Sequence, residues 1–243
     1  MRETIRRLVL KSRQRTYSYL LVVLTAYLVT SPFLPADGRL AWIDAYLLAV
    51  VLFVSLYNIS GDRSHLLIGI ALFLPAIAPR LATAHLGVTP IAPLATAAIS
   101  TFAFLAYLIL RVMKDVLWGR RQTRERIMGA IVAYLLIGLL WSLIYGFIEF
   151  LEPGSFSIPE DMLARMEARP HDIPVSIFAY FSFVTLATLG YGDVTPIGAA
   201  ARTFSSFEAV VGQLFIAITI ARLVGLRVAE SALPPPGSAD DDD

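Results

Sequence analysis

The chain has 243 residues, of which 57% are hydrophobic and 16% charged, and its formal net charge is +1. That balance excludes a soluble globular protein, which is about 45–50% apolar and about 25% charged, and it excludes a disordered chain. The basic residues sit between long apolar runs, which excludes a nucleic-acid binder, and the lack of cysteine rules out disulfides, zinc–thiolate sites, iron–sulfur clusters and cysteine nucleophiles.

A helix that spans a bilayer needs roughly 20 mostly apolar residues. Seven apolar blocks follow one another, at residues 16–36, 45–61, 66–79, 86–110, 127–148, 173–192 and 203–226. The first follows a basic leader, Arg2, Arg6, Arg7, Lys11, Arg13 and Arg15. It is long and lacks a clean cleavage site, so it reads as a retained signal anchor. The third block gives only ~21 Å of helix against a ~30 Å core, and needs residues 81–83 and those around His65 to reach across.

Charge asymmetry sets the expected orientation. Beyond the leader, Arg63, Arg111, Lys114, Arg120, Arg121, Arg124, Arg126, Arg222 and Arg227 all fall on one side if the sixth block does not cross. The other side keeps Arg39, Arg80, Arg165, Arg169 and Arg202. The expected architecture is an all-α membrane protein with six transmembrane helices, one re-entrant pore helix and both termini in the cytoplasm. Residues 1–110 form a four-helix N-terminal part, 111–126 a basic interfacial linker helix, 127–228 a pore domain and 229–243 a disordered acidic tail.

The sixth block ends in Thr188-Leu189-Gly190-Tyr191-Gly192-Asp193. Asp172 and Pro174 suit the start of a helix, and a helix from about 174 to 187 is ~20 Å long, too short to cross. Non-helical backbone inside a membrane is tolerated only along an enclosed or water-filled path. To aim successive carbonyls at one axis, alternate residues must turn left-handed, which Gly190 and Gly192 can do without a Cβ penalty. Rings of such oxygens, assembled around an axis, can replace a cation's water shell.

The nine residues Thr185-Leu-Ala-Thr188-Leu189-Gly190-Tyr191-Gly192-Asp193 resemble the potassium-channel signature, with Leu189 where Val or Ile is commoner. The resemblance is to bacterial six-transmembrane potassium channels. It implies a homotetrameric, potassium-selective pore with K+ held at Thr188, Leu189, Gly190, Tyr191 and Gly192. It also implies filter support from Asp193, Thr185 and the aromatic pair Tyr180-Phe181. Where many relatives use a Trp indole to hold the aspartate, the hydroxyl of Tyr180 can donate instead, and the pore-helix carboxylate of some relatives is Val184 here. Gly212, 20 residues after Gly192, matches a frequent hinge glycine, and Arg202 a frequent basic residue. Nothing as specific covers the first 110 residues.

A voltage sensor needs several charges in the field, each worth about 2.3 kcal/mol per 100 mV. Residues 86–110 contain none, Arg111 and Lys114 lie beyond their end, and Asp44 reads as interfacial or as a counter-charge. Weak voltage dependence is therefore expected. On the last helix Gln213, Ile216, Ile220 and Leu223 share a face. Leu223, or its neighbour Val224, is a candidate hydrophobic gate, though Leu223 can equally pack against the fifth block. Glu208 is costly within a spanning helix. It serves either gating or filter support, or a buried hydrogen bond to a Ser, Tyr or Trp of the fifth block such as Trp141 or Tyr145.

The outer segment 149–172 is net acidic and forms either a cation-concentrating mouth or a solvated turret. His65, His85 and His171 show no metal-ligand spacing. No Ser–His pair, metal box or phosphate loop points to an enzyme, and no internal repeat points to a transporter. The expected partners are further copies of the chain, the bilayer and K+ as permeant ion, with no cofactor. A poorly selective cation channel and a non-conducting accessory subunit are the alternatives.

Overall fold

In the computed structural model, which describes residues 16–33, 50, 63–86, 91–118, 123–167 and 175–231, long helices dominate. Helix α1 spans Thr16–Thr30 and ends in a 3-10 turn at Ser31–Phe33, α2 spans Arg63–Leu86, α3 Ile91–Trp118 and α4 Thr123–Leu151. Strand β1 (Phe156–Ser157), helices α5 (Glu160–Glu167) and α6 (Val175–Leu186), strand β2 (Thr195–Pro196) and helix α7 (Ala199–Ser231) follow. Among the described residues three helical stretches are long and apolar enough to cross a membrane: Ala95–Trp118, Arg124–Leu151 and Ala199–Gly225. The apolar stretches Tyr17–Thr30, Leu67–Pro79 and Ile177–Leu186 are shorter. The chain is thus a mostly helical membrane protein. The basic leader, nearly all of the second block, Asp44, His171, Asp172, Pro174 and the tail from 232 lie outside the described residues.

The third block lies within α2, whose 24 residues give ~36 Å of helix, although its apolar stretch Leu67–Pro79 is shorter than the candidate spans. The helix carries Pro75 and Pro79 inside it, each of which removes one ladder bond. Packing on α3 offsets this: Ala76 and Ile77 are buried, and the Phe73 and Phe104 rings lie 6.4 Å apart. At the start of α2 the Tyr107 hydroxyl of α3 meets His65 Nδ1 at 3.0 Å, so this histidine joins two helices.

Among the described residues the separate linker helix expected over 111–126 does not appear. Residues 111–118 are the last two turns of α3, and 123–126 are the first turn of α4. Nothing between Leu110 and Trp118 breaks a helix, and Val112 and Val116 are buried in the core instead of facing headgroups. Gly129 of α4 makes room for them: a Cβ there would stand 2.8 Å from Val116 Cγ2 and 3.1 Å from the Tyr17 ring. Small residues at such crossings let membrane helices approach closely.

Two apolar clusters result. One gathers side chains of α1, α3 and α4, with Ile77 of α2 and Ala179 of α6. The other is aromatic and joins α4 to α6 and to the start of α7. The all-α expectation needs one amendment: β1 and β2 pair antiparallel, Phe156 with Pro196 and Ser157 with Thr195. The Ser155 carbonyl extends this clasp by accepting the amides of Ile197 at 2.7 Å and Gly198 at 3.0 Å.

Glu125 ties the first helix to the fourth. It is almost fully buried and accepts hydrogen bonds from the Tyr17 amide at 3.0 Å and the Ser18 hydroxyl at 2.8 Å. The first amides of a helix lack internal partners, and a carboxylate there is favoured by the helix dipole. Removing this group in Glu125→Ala should cost about 1–3 kcal/mol, the range for a buried polar group left unpaired. Ser18→Ala should cost less, since the Tyr17 amide keeps its acceptor. Thermal unfolding of the detergent-purified protein, followed by circular dichroism, checks both the loss and its order.

Candidate functional site

The site is built from the end of α6 onward. This helix has no interior Gly or Pro and is apolar on all sides, which suits a helix enclosed by others. Its 12 residues give ~18 Å, and Phe178, Ser182 and Leu186 are fully buried. The chain then turns, and its amides use the carbonyls that the helix leaves open. Thr188 N–H donates to Thr185 O at 2.9 Å, while Leu189 N–H reaches Val184 O at 2.8 Å and Gly190 N–H the same oxygen at 3.4 Å.

Along the next residues φ is positive at Thr188 (57°), Gly190 (59°) and Gly192 (79°). Alternating handedness turns successive carbonyls toward one side of an extended strand. The two glycines adopt it without a Cβ penalty. Thr188 does so as a non-glycine, at a cost of about 1–2 kcal/mol, which its amide bond to Thr185 helps to hold. Residues 188–193 are all exposed in the single chain, Tyr191 at 68%.

The rim of this strand is held from α6. The Tyr180 hydroxyl donates to Asp193 Oδ2 at 2.5 Å, and the Val194 amide donates to Oδ1 at 2.9 Å. The Tyr180 bond holds the Asp193 carboxyl below its ordinary range; burial opposes it, and the Val194 amide adds a smaller lowering effect. The aromatic pair divides its tasks. Tyr180 turns to Asp193, whereas Phe181 packs on Tyr145 at 5.0 Å and Phe156 at 5.3 Å, facing α4 and the clasp.

Glu208 of α7 is fully buried. The Tyr145 hydroxyl of α4 donates to its Oε2, and Ser182 Oγ of α6 lies 2.5 Å from its Oε1. Ser182 Oγ is also 2.8 Å from the Gly138 carbonyl. Of the two partners named from sequence, Tyr145 is engaged. Trp141 instead stacks on Tyr145 at 5.9 Å and meets Phe204 and Phe207 edge-on at 6.1 Å. Ser182 went unnoticed because its spacing from Glu208, 26 residues, has no helical period. Gly138 also went unnoticed, although a Cβ there would run into the Phe183 ring.

Gly212 has a packing reason to be glycine. It is buried, and a Cβ on it would collide with the Leu186 carbonyl, so α7 and the end of α6 touch backbone to backbone. The next residue, Gln213, points its amide Nε2 at the Thr188 hydroxyl, 3.4 Å away. Farther along, Ile216 and Ile220 are exposed, Leu223 is half-buried and Val224 exposed. Arg222 Nη2 donates to the Leu117 carbonyl at 3.0 Å, joining α7 to the end of α3.

The acidic outer segment has a structural use. Glu149 accepts from the Gly154 amide at 2.8 Å and the Phe156 amide at 3.2 Å, which sets the turn into β1. Arg202 Nε donates to the Pro196 carbonyl at 3.3 Å. Among the described residues no group of three or more His, Asp or Glu side chains could hold a metal ion.

Residues 130–226, which contain α6, the strand and most of α7, match the protein family described as "Ion channel". A stretch of 51 residues is 43% identical to the two pore potassium channel c of Oryza sativa subsp. japonica. That stretch covers 21% of this chain and 11% of the rice protein, so the chain spans a small part of that relative. No solved structure matches. These likenesses support an ion channel.

The low-lying Asp193 carboxyl carries a sign. Its bond to Tyr180 contributes fully above the ordinary aspartate pKa and is lost as pH falls through the depressed one. Tyr180→Phe removes the donor, so Asp193 should then titrate at higher pH. NMR titration of the Asp193 carboxyl in both proteins decides this; equal midpoints would mean the hydroxyl does not hold it.

Proposed function

We propose that the protein is a potassium-selective channel formed by four copies, with residues 188–192 of each copy lining a common axis. The observation that carries this reading is the alternation of positive φ at Thr188, Gly190 and Gly192 directly behind a helix too short to cross. A strand so wound presents its carbonyls as a column. Four columns supply stacked oxygen rings that stand in for the hydration shell of K+, coordinated at Thr188, Leu189, Gly190, Tyr191 and Gly192. Asp193, Tyr180, Phe181 and Thr185 hold the column in place.

Two features favour several copies. Non-helical backbone within a membrane has to be enclosed by protein or line a water-filled path, and in one chain the strand is exposed along its length. Helix α7 also leaves Phe207, Val210, Leu214 and Ile218 more than half exposed, an apolar face available to neighbouring copies.

In this reading six helices span the cell membrane, α6 re-enters, and both termini are cytoplasmic, which the distribution of basic residues favours. Gln213 lies at the inner end of the column, with Gly212 beside it. The gate lies farther in, at Leu223 or the more exposed Val224. The printed name of the rice relative, a two pore potassium channel, favours potassium among cations. Helix α3 has Arg111, Lys114 and Asp115 as its charged residues, all near one end, so little charge crosses the field.

Purified protein reconstituted in planar bilayers, with a potassium gradient and sodium on both sides, should reverse near the potassium equilibrium potential. Its open probability should change with voltage by less than about one elementary charge, or ~2.3 kcal/mol per 100 mV. Reversal that follows sodium and potassium alike would make it a poorly selective cation channel. No current at all would favour a non-conducting subunit.

A further inference from the structure

Two of the points at which helices α6 and α7 touch lie one helical turn apart. On α7 these are Glu208 and Gly212; on α6 they are Ser182 and Leu186. At the first point Ser182 Oγ and Glu208 Oε1 are 2.5 Å apart. At the second the Leu186 carbonyl lies so close to Gly212 that no Cβ would fit. One contact attracts and the other is a steric stop. Together they oppose both a slide and a roll of α6 along α7. The Tyr145 hydroxyl pins the other carboxyl oxygen to α4, so Glu208 itself has little freedom to follow a shift.

The strand is attached just beyond. Two residues after Ser182, the Val184 carbonyl accepts the amides of Leu189 at 2.8 Å and Gly190 at 3.4 Å. Any displacement of α6 therefore moves the acceptor on which the strand hangs. A binding constellation must be held within about 0.5 Å to work. We propose that Glu208 is a positioning residue for ion selection: through Ser182 it sets the height of residues 188–192 against α7. This rests on the reading of those residues as the ion path. It separates Glu208 from the gate, since Leu223 lies 15 residues farther on, ~22 Å along the helix.

The test uses the reconstituted full-length chain and reads the potassium-to-sodium permeability ratio, with oligomer size and thermal midpoint measured alongside. Ser182→Ala and Glu208→Leu should each lower the ratio roughly tenfold, as expected for one lost buried hydrogen bond, in assemblies of unchanged size. The double variant should lose less than the two single losses combined, because both remove the Ser182–Glu208 contact. Glu208→Gln should restore the ratio. Its carbonyl can accept from Tyr145, its amide can donate to Ser182 Oγ, and the Ser182 proton is then free for the Gly138 carbonyl.

If Glu208→Leu fails to assemble, Ser182→Ala decides, since alanine fits the helix and leaves Glu208 its bond to Tyr145. A Ser182→Ala protein that selects like the wild type overturns the positioning role while leaving the pore reading intact. So does a lower thermal midpoint with an unmoved permeability ratio, which marks a merely structural bond. A wild-type protein without potassium selectivity overturns the pore reading and the positioning role together.

Discussion

The structure depends on how five residues of non-helical backbone are held directly behind a short apolar helix. Backbone outside a helix has to find partners for its polar groups elsewhere, since each one left unpaired away from water costs several kcal/mol. The open carbonyls at the end of α6 meet part of that need. Val184 O takes two amides and Thr185 O a third, which turns the strand directly off the helix and leaves its own carbonyls unspent. Positive φ at Thr188 adds strain at this point, as is common where backbone is shaped for a ligand.

Contacts on two sides fix α6 against its neighbours. On its α4 side, Gly138 lets the Phe183 ring in and offers its carbonyl to Ser182. On its α7 side, Gly212 admits the Leu186 carbonyl. The clasp of β1 with β2 and the stack of Phe156, Phe178 and Phe181 connect it to the segment after the strand. Lipid is as apolar as leucine, so helices in a membrane gain little from burying leucine against leucine. Close backbone approach at small residues and internal hydrogen bonds carry the association instead, and both occur here at named positions.

The opposite end of the bundle is held by polar bonds between distant parts of the chain. Glu125 receives the start of α1, the Tyr17 hydroxyl donates to Asp115 of α3 at 2.9 Å, and Arg222 reaches the Leu117 carbonyl. The first helix, the third, the fourth and the last therefore meet in one region. The continuous α3, in place of a separate linker, brings Leu117 to α7 directly.

Apolar length, charge asymmetry and the run from Thr185 to Asp193 were legible in the sequence because each is local: a block, a count or a short spacing. The apolar stretches, the short α6, the left-handed turns at Gly190 and Gly192 and the Tyr180–Asp193 bond follow from such features. The end of α3 was not legible, since basic residues among valines suit a membrane surface as well as a buried turn, and only packing on Gly129 and Tyr17 decides. The clasp of β1 with β2, two residues on each side, is below what any periodicity reveals. Glu208 announced itself as a buried charge, but its partners Tyr145 and Ser182 lie 63 and 26 residues away. Which oxygen meets which hydroxyl depends on how three helices cross. Crossing geometry is set by the sizes of side chains at contact points far apart in the chain, and no single stretch of residues contains that information.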